Sequence, residues 1–86
     1  MKDKLQRAKK VPITEIYTEQ TKRSGRALVG RCVLHEDDNP SLAIYPDTNS
    51  FYCFAEGSGG DVITFYMLLH RVDFKRAVED LSHWEC

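Results

Sequence analysis

Two pairs of candidate metal ligands constrain this chain more than any other feature. Cys32 and His35 are separated by two residues, and Cys53 and Glu56 repeat that spacing after an interval of seventeen residues. Two ligands separated in this way converge on one ion from a tight turn, and a second pair on a hairpin completes a tetrahedron. Thiolate and imidazole donors favour zinc. The spacing therefore predicts a zinc knuckle.

The fourth ligand position is held by Glu56, where a structural zinc site usually has Cys or His. A carboxylate could complete the site, water could fill the position, or the site could have lost its metal. Cys86 is a further donor, but it lies thirty residues beyond Glu56. An alternative makes Cys32 and Cys53 buried small hydrophobes and His35 a loop histidine bonded to neighbouring acids.

Length and cysteine content favour a small metal-stabilised domain. The chain has 86 residues, which is enough for one domain. It has three cysteines, and an odd number argues against a pure disulfide framework. A core this thin often needs a metal or a partner. No apolar run reaches the roughly 18 residues that span a membrane, and the N-terminus lacks the apolar centre of a signal peptide. We therefore expect a cytoplasmic chain with no membrane partner, whose reduced thiols suit zinc.

Charge is distributed unevenly along the chain. Residues 1–35 carry a net charge of +6 and residues 36–86 carry −7, although the whole chain has only −1. A basic half joined to an acidic half suggests one surface that faces a polyanion and another that faces away from it. The alternative is two solvated patches without a partner.

Periodicity and turn chemistry predict an α+β fold, with a small antiparallel, zinc-ribbon-like sheet and helices packed on one face. Residues 1–10 are expected as a basic flexible arm or a short frayed helix, and residues 11–86 as the domain. A hairpin is predicted where the turn 46–49 joins two strand-like runs. The other expectations are a short helix at 13–17, a turn-like basic stretch at 21–26, strands at 27–32, 41–46 and 50–54, a loop at 35–40 and a flexible connection at 57–60.

Two helices are predicted near the C-terminal end, each opened by an aspartate N-cap. Asp61 precedes the first and Asp73 precedes the second. Apolar residues then recur at the i, i+3, i+4 and i+7 spacing of a helix that buries one face. These residues are Val62, Phe65, Tyr66 and Leu69, widened by Ile63 and Met67, and then Phe74, Ala77, Val78 and Leu81.

Basic and aromatic side chains suggest contact with single-stranded DNA, which is held by basic grooves and stacking platforms. Period-2 alternation places Tyr52 and Phe54 on one face of their strand, opposite Phe51 and Cys53. Tyrosines are favoured as the exposed rings because their hydroxyls tolerate water. The alternative role for any one of these aromatic side chains is packing in the hydrophobic core. The alternative for the basic residues is that they are simply solvated at the surface. The candidate DNA-binding residues are Lys22, Arg23, Arg26, Arg31, Tyr45 and Tyr52.

Residues 13–81 resemble the N-terminal zinc-binding domain of bacterial and phage-type DNA primases in the order, spacing and flanks of their motifs. Three departures stand out: Val33 and Leu34 replace a Pro-Phe pair, Ala55 replaces a glycine, and Glu56 replaces a cysteine. The matching segments are Ser24-Gly25-Arg26, Gly30-Arg31-Cys32-Val33-Leu34-His35, Pro40-Ser41, Cys53-Phe54-Ala55-Glu56 and Gly59-Gly60-Asp61-Val62-Ile63.

The resemblance implies a zinc-binding module that recognises the single-stranded template through its sheet and supports RNA primer synthesis in DNA replication. It transfers the zinc-ligand role to Cys32, His35 and Cys53, with Glu56 as the fourth candidate. No carboxylate cluster here suits paired magnesium ions, so the chain is expected to be no enzyme by itself. Expected partners are single-stranded DNA, a primase catalytic domain and a replicative helicase. One alternative is a protein-interaction module whose acidic helices dock the catalytic domain or the helicase, and whose metal site is partly or wholly lost. Another alternative is a primase-like enzyme that acts alone.

Overall fold

The computed structural model describes residues 2–32 and 41–84. Its five strands form one antiparallel sheet in which each strand pairs with the next along the chain. The architecture is therefore the expected α+β fold. In chain order the elements are α1 Lys2–Lys10, α2 Ile13–Ile16, β1 Thr21–Ser24, β2 Ala27–Gly30, β3 Leu42–Tyr45, β4 Ser50–Cys53, β5 Ser58–Asp61, α3 Val62–His70 and α4 Phe74–Ser82.

The central hairpin of the sheet is the one that the sequence predicts. β3 and β4 pair from Leu42 opposite Cys53 to Tyr45 opposite Ser50, and residues 46–49 form the turn. Two strands were not expected. β1 occupies the basic stretch predicted as a turn, and β5 occupies the segment predicted as a flexible connection. These strands form the two edges of the sheet.

Side-chain alternation gives the sheet two different faces. The inner face carries Leu42, Ile44, Phe51 and Cys53, all at most 3% exposed, and they pack with the helices in a single core. We call the opposite side the outer face. The strand register sets one continuous row across it, formed by Lys22, Val29, Ala43, Tyr52 and Gly59.

Helices α3 and α4 begin at the predicted caps. The Asp61 carboxylate accepts a hydrogen bond from the Thr64 N–H at 2.9 Å, and that of Asp73 accepts from the Arg76 N–H at 2.8 Å. Each cap satisfies a backbone donor that the first helical turn leaves without an intrahelical partner. Most residues of the predicted apolar faces are buried, but Met67 and Leu69 are only partly buried, and Phe74, which begins α4, is 49% exposed.

The N-terminal segment is a correction to the expected flexible arm. Lys2–Lys10 form α1, the helical alternative, and the side chain of Ala8 is completely buried. Leu5 also packs against the core, and the Lys4 ammonium bonds Glu79 of α4 at 2.7 Å. Because apolar side chains one helical turn apart face the same way, α1 docks along α4 and completes the inner layer.

The helices in the described part of the chain are too short to cross a bilayer. α1, α3 and α4 have nine residues each. At a rise of about 1.5 Å per residue, each extends roughly 14 Å, about half of the hydrocarbon thickness. No helix of residues 2–32 and 41–84 is therefore a candidate membrane span.

Candidate metal centre and nucleic-acid interface

Two of the predicted metal ligands meet at one end of the core. Cys32 lies just beyond β2 and Cys53 is the last residue of β4. Their Sγ atoms are 3.4 Å apart, and both side chains are buried. A disulfide would need about 2.05 Å. Two thiolates on a tetrahedral zinc, each bound at about 2.3 Å, stand roughly 3.8 Å apart, so the pair fits zinc after a small shift.

The second half-site has the backbone of a knuckle. After Cys53 the chain turns through residues 54–57, and the Gly57 N–H donates to the Cys53 carbonyl at 2.8 Å. Gly57 has a φ of +66°, which glycine adopts without a steric penalty. Ala55 is not among the positive-φ residues, so the methyl group that it adds imposes no such strain on the turn.

The structure places Glu56 on this turn with an exposed side chain. Within residues 2–32 and 41–84, no three side chains of His, Cys, Asp or Glu gather as a metal cluster. Glu56 is therefore positioned by the knuckle backbone but is not grouped with the two sulfurs. His35 and Cys86 lie outside the described residues.

Tyr17 positions the chain around the first cysteine. Its ring packs edge-on against Phe65 with centroids 6.1 Å apart, and its hydroxyl donates to the Arg31 carbonyl. Burial raises the pKa of the Tyr17 hydroxyl, and the charges of Glu19 and Cys32 add to that shift. A hydroxyl that stays protonated keeps donating, so Tyr17 holds the backbone beside Cys32 over the ordinary pH range.

The outer face combines aromatic rings with positive charge. Tyr52 is 38% exposed, and its ring meets Phe54 edge-on at 5.2 Å between centroids. Tyr45 is half-buried on the same face by strand alternation. As predicted, Phe51 and Cys53 lie on one face and Tyr52 on the other; Phe54, which follows β4, is also exposed and lies beside Tyr52. Phe54, at 59% exposed, is an accessible ring that the preference for tyrosines left out of the candidate set.

Two of the basic candidates border this face. Lys22 lies on β1 in the row that crosses it, and Arg26 lies in the turn to β2. Arg23 is opposite Leu28 of the inner side, so strand alternation directs it away from the outer face. All three side chains are exposed. Arg31 is also exposed but bonds Glu19 at 2.6 Å. Its charge is therefore partly balanced within the chain. The structure thus places Lys22 and Arg26 at the border of the outer face and separates Arg23 and Arg31 from them.

Comparison with known proteins identifies the family. Residues 1–85 match the sequence model of the CHC2 zinc finger. The chain is 39% identical over 72 residues to a DNA primase of Synechococcus elongatus, which covers 81% of this chain and 10% of that protein. It is 38% identical over 73 residues to a DNA primase of Mycoplasma pneumoniae, with coverages of 85% and 12%. The chain thus spans about a tenth of the length of these relatives.

A solved structure supports the same assignment. The crystal structure of the zinc-binding and RNA polymerase domains of the Aquifex aeolicus primase aligns with a TM-score of 0.77 and 27% sequence identity. The alignment covers 93% of this chain and 20% of that one. The shared part therefore includes almost all of the sheet and helices described above.

Proposed function

Because this chain belongs to the CHC2 zinc finger family of DNA primases, we propose that it is a zinc-stabilised module that holds the single-stranded template for a primase. The family membership gives the fold and the setting in DNA replication. Polymerisation is assigned to a separate catalytic domain, with which this module works either in one longer chain or in trans. The module has no catalytic role of its own in this proposal.

Zinc would be held by Cys32 and Cys53 together with His35 and Glu56. When bound, it supplies a structural cross-link rather than a reactive centre. The two buried sulfurs 3.4 Å apart carry this assignment. They belong to the strand ends that lead into the two half-sites, so a shared ion would tie the end of β2 to the turn between β4 and β5.

The template would lie on the outer face. The observation that carries this assignment is the continuous row from Lys22 on the edge strand to Tyr52 on the fourth strand. Neighbouring strands are about 4.8 Å apart, so this row separates cation and ring by roughly 14 Å. Bases would stack on Tyr52 and Phe54 while phosphates meet the β1 edge, the two contacts that retain a single strand.

A binding experiment on the 86-residue chain tests the face. Affinity for a labelled oligothymidylate is measured by fluorescence anisotropy at several salt concentrations. The double variant Lys22→Ala/Arg26→Ala is expected to bind more weakly and to reduce the salt slope by about 1.4, from roughly 0.7 per lost phosphate contact. Tyr52→Ala is expected to cost about 1–3 kcal/mol of binding free energy with little change in that slope, because it removes stacking alone.

The matched control removes two positive charges from the helix layer. Lys9 and Lys75 are exposed on α1 and α4, so Lys9→Ala/Lys75→Ala makes the same change in net charge away from the outer face. This variant should bind the oligonucleotide almost as the unmodified chain does. An equal loss in both double variants would show that net charge alone attracts DNA and would overturn the template-face proposal.

A further inference from the structure

A groove between α1 and α4 lies outside the metal centre and the outer face. It has a volume of about 220 Å³. Its floor contains Val11 and Leu81, both buried core residues, and its wall includes Trp84 at 37% exposed. The residues that line it are Arg7, Lys10, Val11, Leu81, Ser82 and Trp84. An apolar floor beside an accessible indole is typical of a site that receives an apolar side chain.

Uncompensated positive charge borders this apolar floor. Among residues 2–32 and 41–84, no carboxylate forms an ion pair with Arg7 or Lys10. The nearby acid of α4, Glu79, already bonds Lys4 at 2.7 Å and His83 at 3.1 Å. Its pKa is lowered by these two partners, the Lys4 bond first, so it stays ionised and engaged with them. The border of the groove therefore favours a negatively charged occupant.

The position of the groove separates it from the proposed template path. α1 and α4 pack on the inner side of the sheet, whereas the row from Lys22 to Tyr52 crosses the outer face. A strand of DNA on the outer face would leave the groove accessible. Its aliphatic floor suits an inserted apolar side chain, and Trp84 is the single ring among its lining residues, whereas a nucleic-acid strand is held by successive stacking rings. A protein segment is thus the occupant that floor and charge together favour.

We propose that the α1–α4 groove is a docking site for an acidic protein segment that inserts an apolar anchor side chain. The anchor fills the space over Val11 and Leu81 against Trp84, and flanking carboxylates meet Arg7 and Lys10. This inference goes beyond template binding and does not depend on it. It gives the module a second contact, on the opposite side from the DNA.

Trp84 makes the test direct, because it is the only tryptophan in the chain. The probe is a short synthetic peptide of Asp and Glu residues around a central Leu-Phe pair, titrated to about 1 mM while indole fluorescence is recorded. We expect a saturable change in Trp84 emission. The same peptide with Ser-Ser at its centre should bind at least fivefold more weakly, because it lacks the anchor.

Charge-neutralised variants locate the site. Arg7→Gln/Lys10→Gln, confirmed as folded by circular dichroism, is expected to weaken peptide binding at least fivefold and to leave oligothymidylate binding nearly unchanged. Lys22→Gln/Arg26→Gln is the matched control, with the opposite expected pattern. No emission change at about 1 mM peptide, or equal weakening by both double variants, would overturn the docking proposal. So would an emission change caused by oligothymidylate that depends on Arg7 and Lys10, since the groove would then bind nucleic acid.

Discussion

At the scale of single residues, Asn49 links parts of the chain that are distant in sequence. Its backbone has a φ of +54°, a left-handed conformation that asparagine tolerates better than most residues. Its side-chain oxygen accepts from the Ile13 N–H at 2.6 Å, and its amide donates to the carbonyls of Lys9 at 3.0 Å and Val11 at 2.7 Å. A turn residue thereby bonds the end of α1 and the start of α2.

Replacing Asn49 should destabilise the fold well beyond an ordinary turn substitution. Asn49→Gly keeps the left-handed backbone but removes three hydrogen bonds, for an expected loss of about 2–3 kcal/mol in the free energy of unfolding. Asn49→Ala should lose about 1 kcal/mol more, because alanine is strained at positive φ. Urea unfolding measures both variants. Asp47→Ala in the same turn is the control, and a loss in Asn49→Gly no larger than in this control would contradict the linking role.

The sequence predicted the turn around Asn49 but not this linking role. The residue types of the Pro-Asp-Thr-Asn segment favour a turn through local interactions. They do not indicate which distant parts of the chain pack against that turn. The three backbone partners are 36 to 40 residues away in the chain. The same distinction holds for the cysteines. Their spacing predicted that Cys32 and Cys53 would converge, whereas the exposed position of Glu56 depends on how the folded turn faces solvent.

At the scale of elements, the helices and central hairpin were predictable and the two edge strands were not. The helices have apolar periodicity and aspartate caps, and the hairpin has two β-forming runs. β1 is exposed at every position and β5 contains two adjacent glycines, so neither has the signature of a strand. β5 forms because Gly59 permits close approach: a Cβ there would lie 2.4 Å from the Phe51 carbonyl oxygen.

Contact between α3 and α4 includes a polar link near the core. The Tyr66 hydroxyl donates to Asp80 at 2.8 Å, and the Arg76 guanidinium donates to both oxygens of that carboxylate at 3.1 Å. The Tyr66 bond, followed by that of Arg76, lowers the pKa of Asp80. Because the pKa of Asp80 is lower in the folded state than in the unfolded state, the ionised carboxylate stabilises the fold fully at pH values above the unfolded-state pKa. That contribution is lost as the pH falls through the folded value.

This link predicts a specific acid response. Between about pH 5 and pH 2, a window around the ordinary aspartate pKa of about 3.9, the unmodified chain should lose more unfolding free energy than Asp80→Asn. The free energy of unfolding is measured by urea titration at each pH. A chelator is present in every sample, so that acid-driven release of metal does not contribute to the difference. Glu15→Gln, at an exposed carboxyl on α2, should retain the full acid dependence. Parallel acid profiles for Asp80→Asn and the unmodified chain would exclude the proposed contribution.

At the scale of the whole molecule, three features occupy separate regions of the domain. The sulfur pair lies at one end of the core, the aromatic and basic row crosses the outer face, and the α1–α4 groove lies in the helix layer. A domain of this size buries a modest fraction of its surface. The proposed zinc would therefore stabilise the arrangement of the sheet on which the template is proposed to lie.

The identity of residue 56 should set how firmly the domain holds zinc. Glu56→Cys should bind zinc at least tenfold more tightly, because a thiolate is a softer donor than a carboxylate. It should also show a larger fall in thermal midpoint when a chelator removes the metal. Competition with a chromophoric chelator measures affinity, and Glu15→Cys on α2 is the control for an added thiol. Equal affinities for Glu56→Cys and the unmodified chain would exclude position 56 from the coordination sphere.

The packing of α1 against α4 has a consequence for synthesis of the chain. α1 precedes the five strands in the chain and packs against α4, which follows them, whereas neighbours in the sheet are consecutive strands. On the ribosome, the sheet can therefore assemble progressively while the apolar side of α1 waits for α4 to emerge. The nascent module should gain most of its resistance to proteases when α4 becomes available to pack against α1.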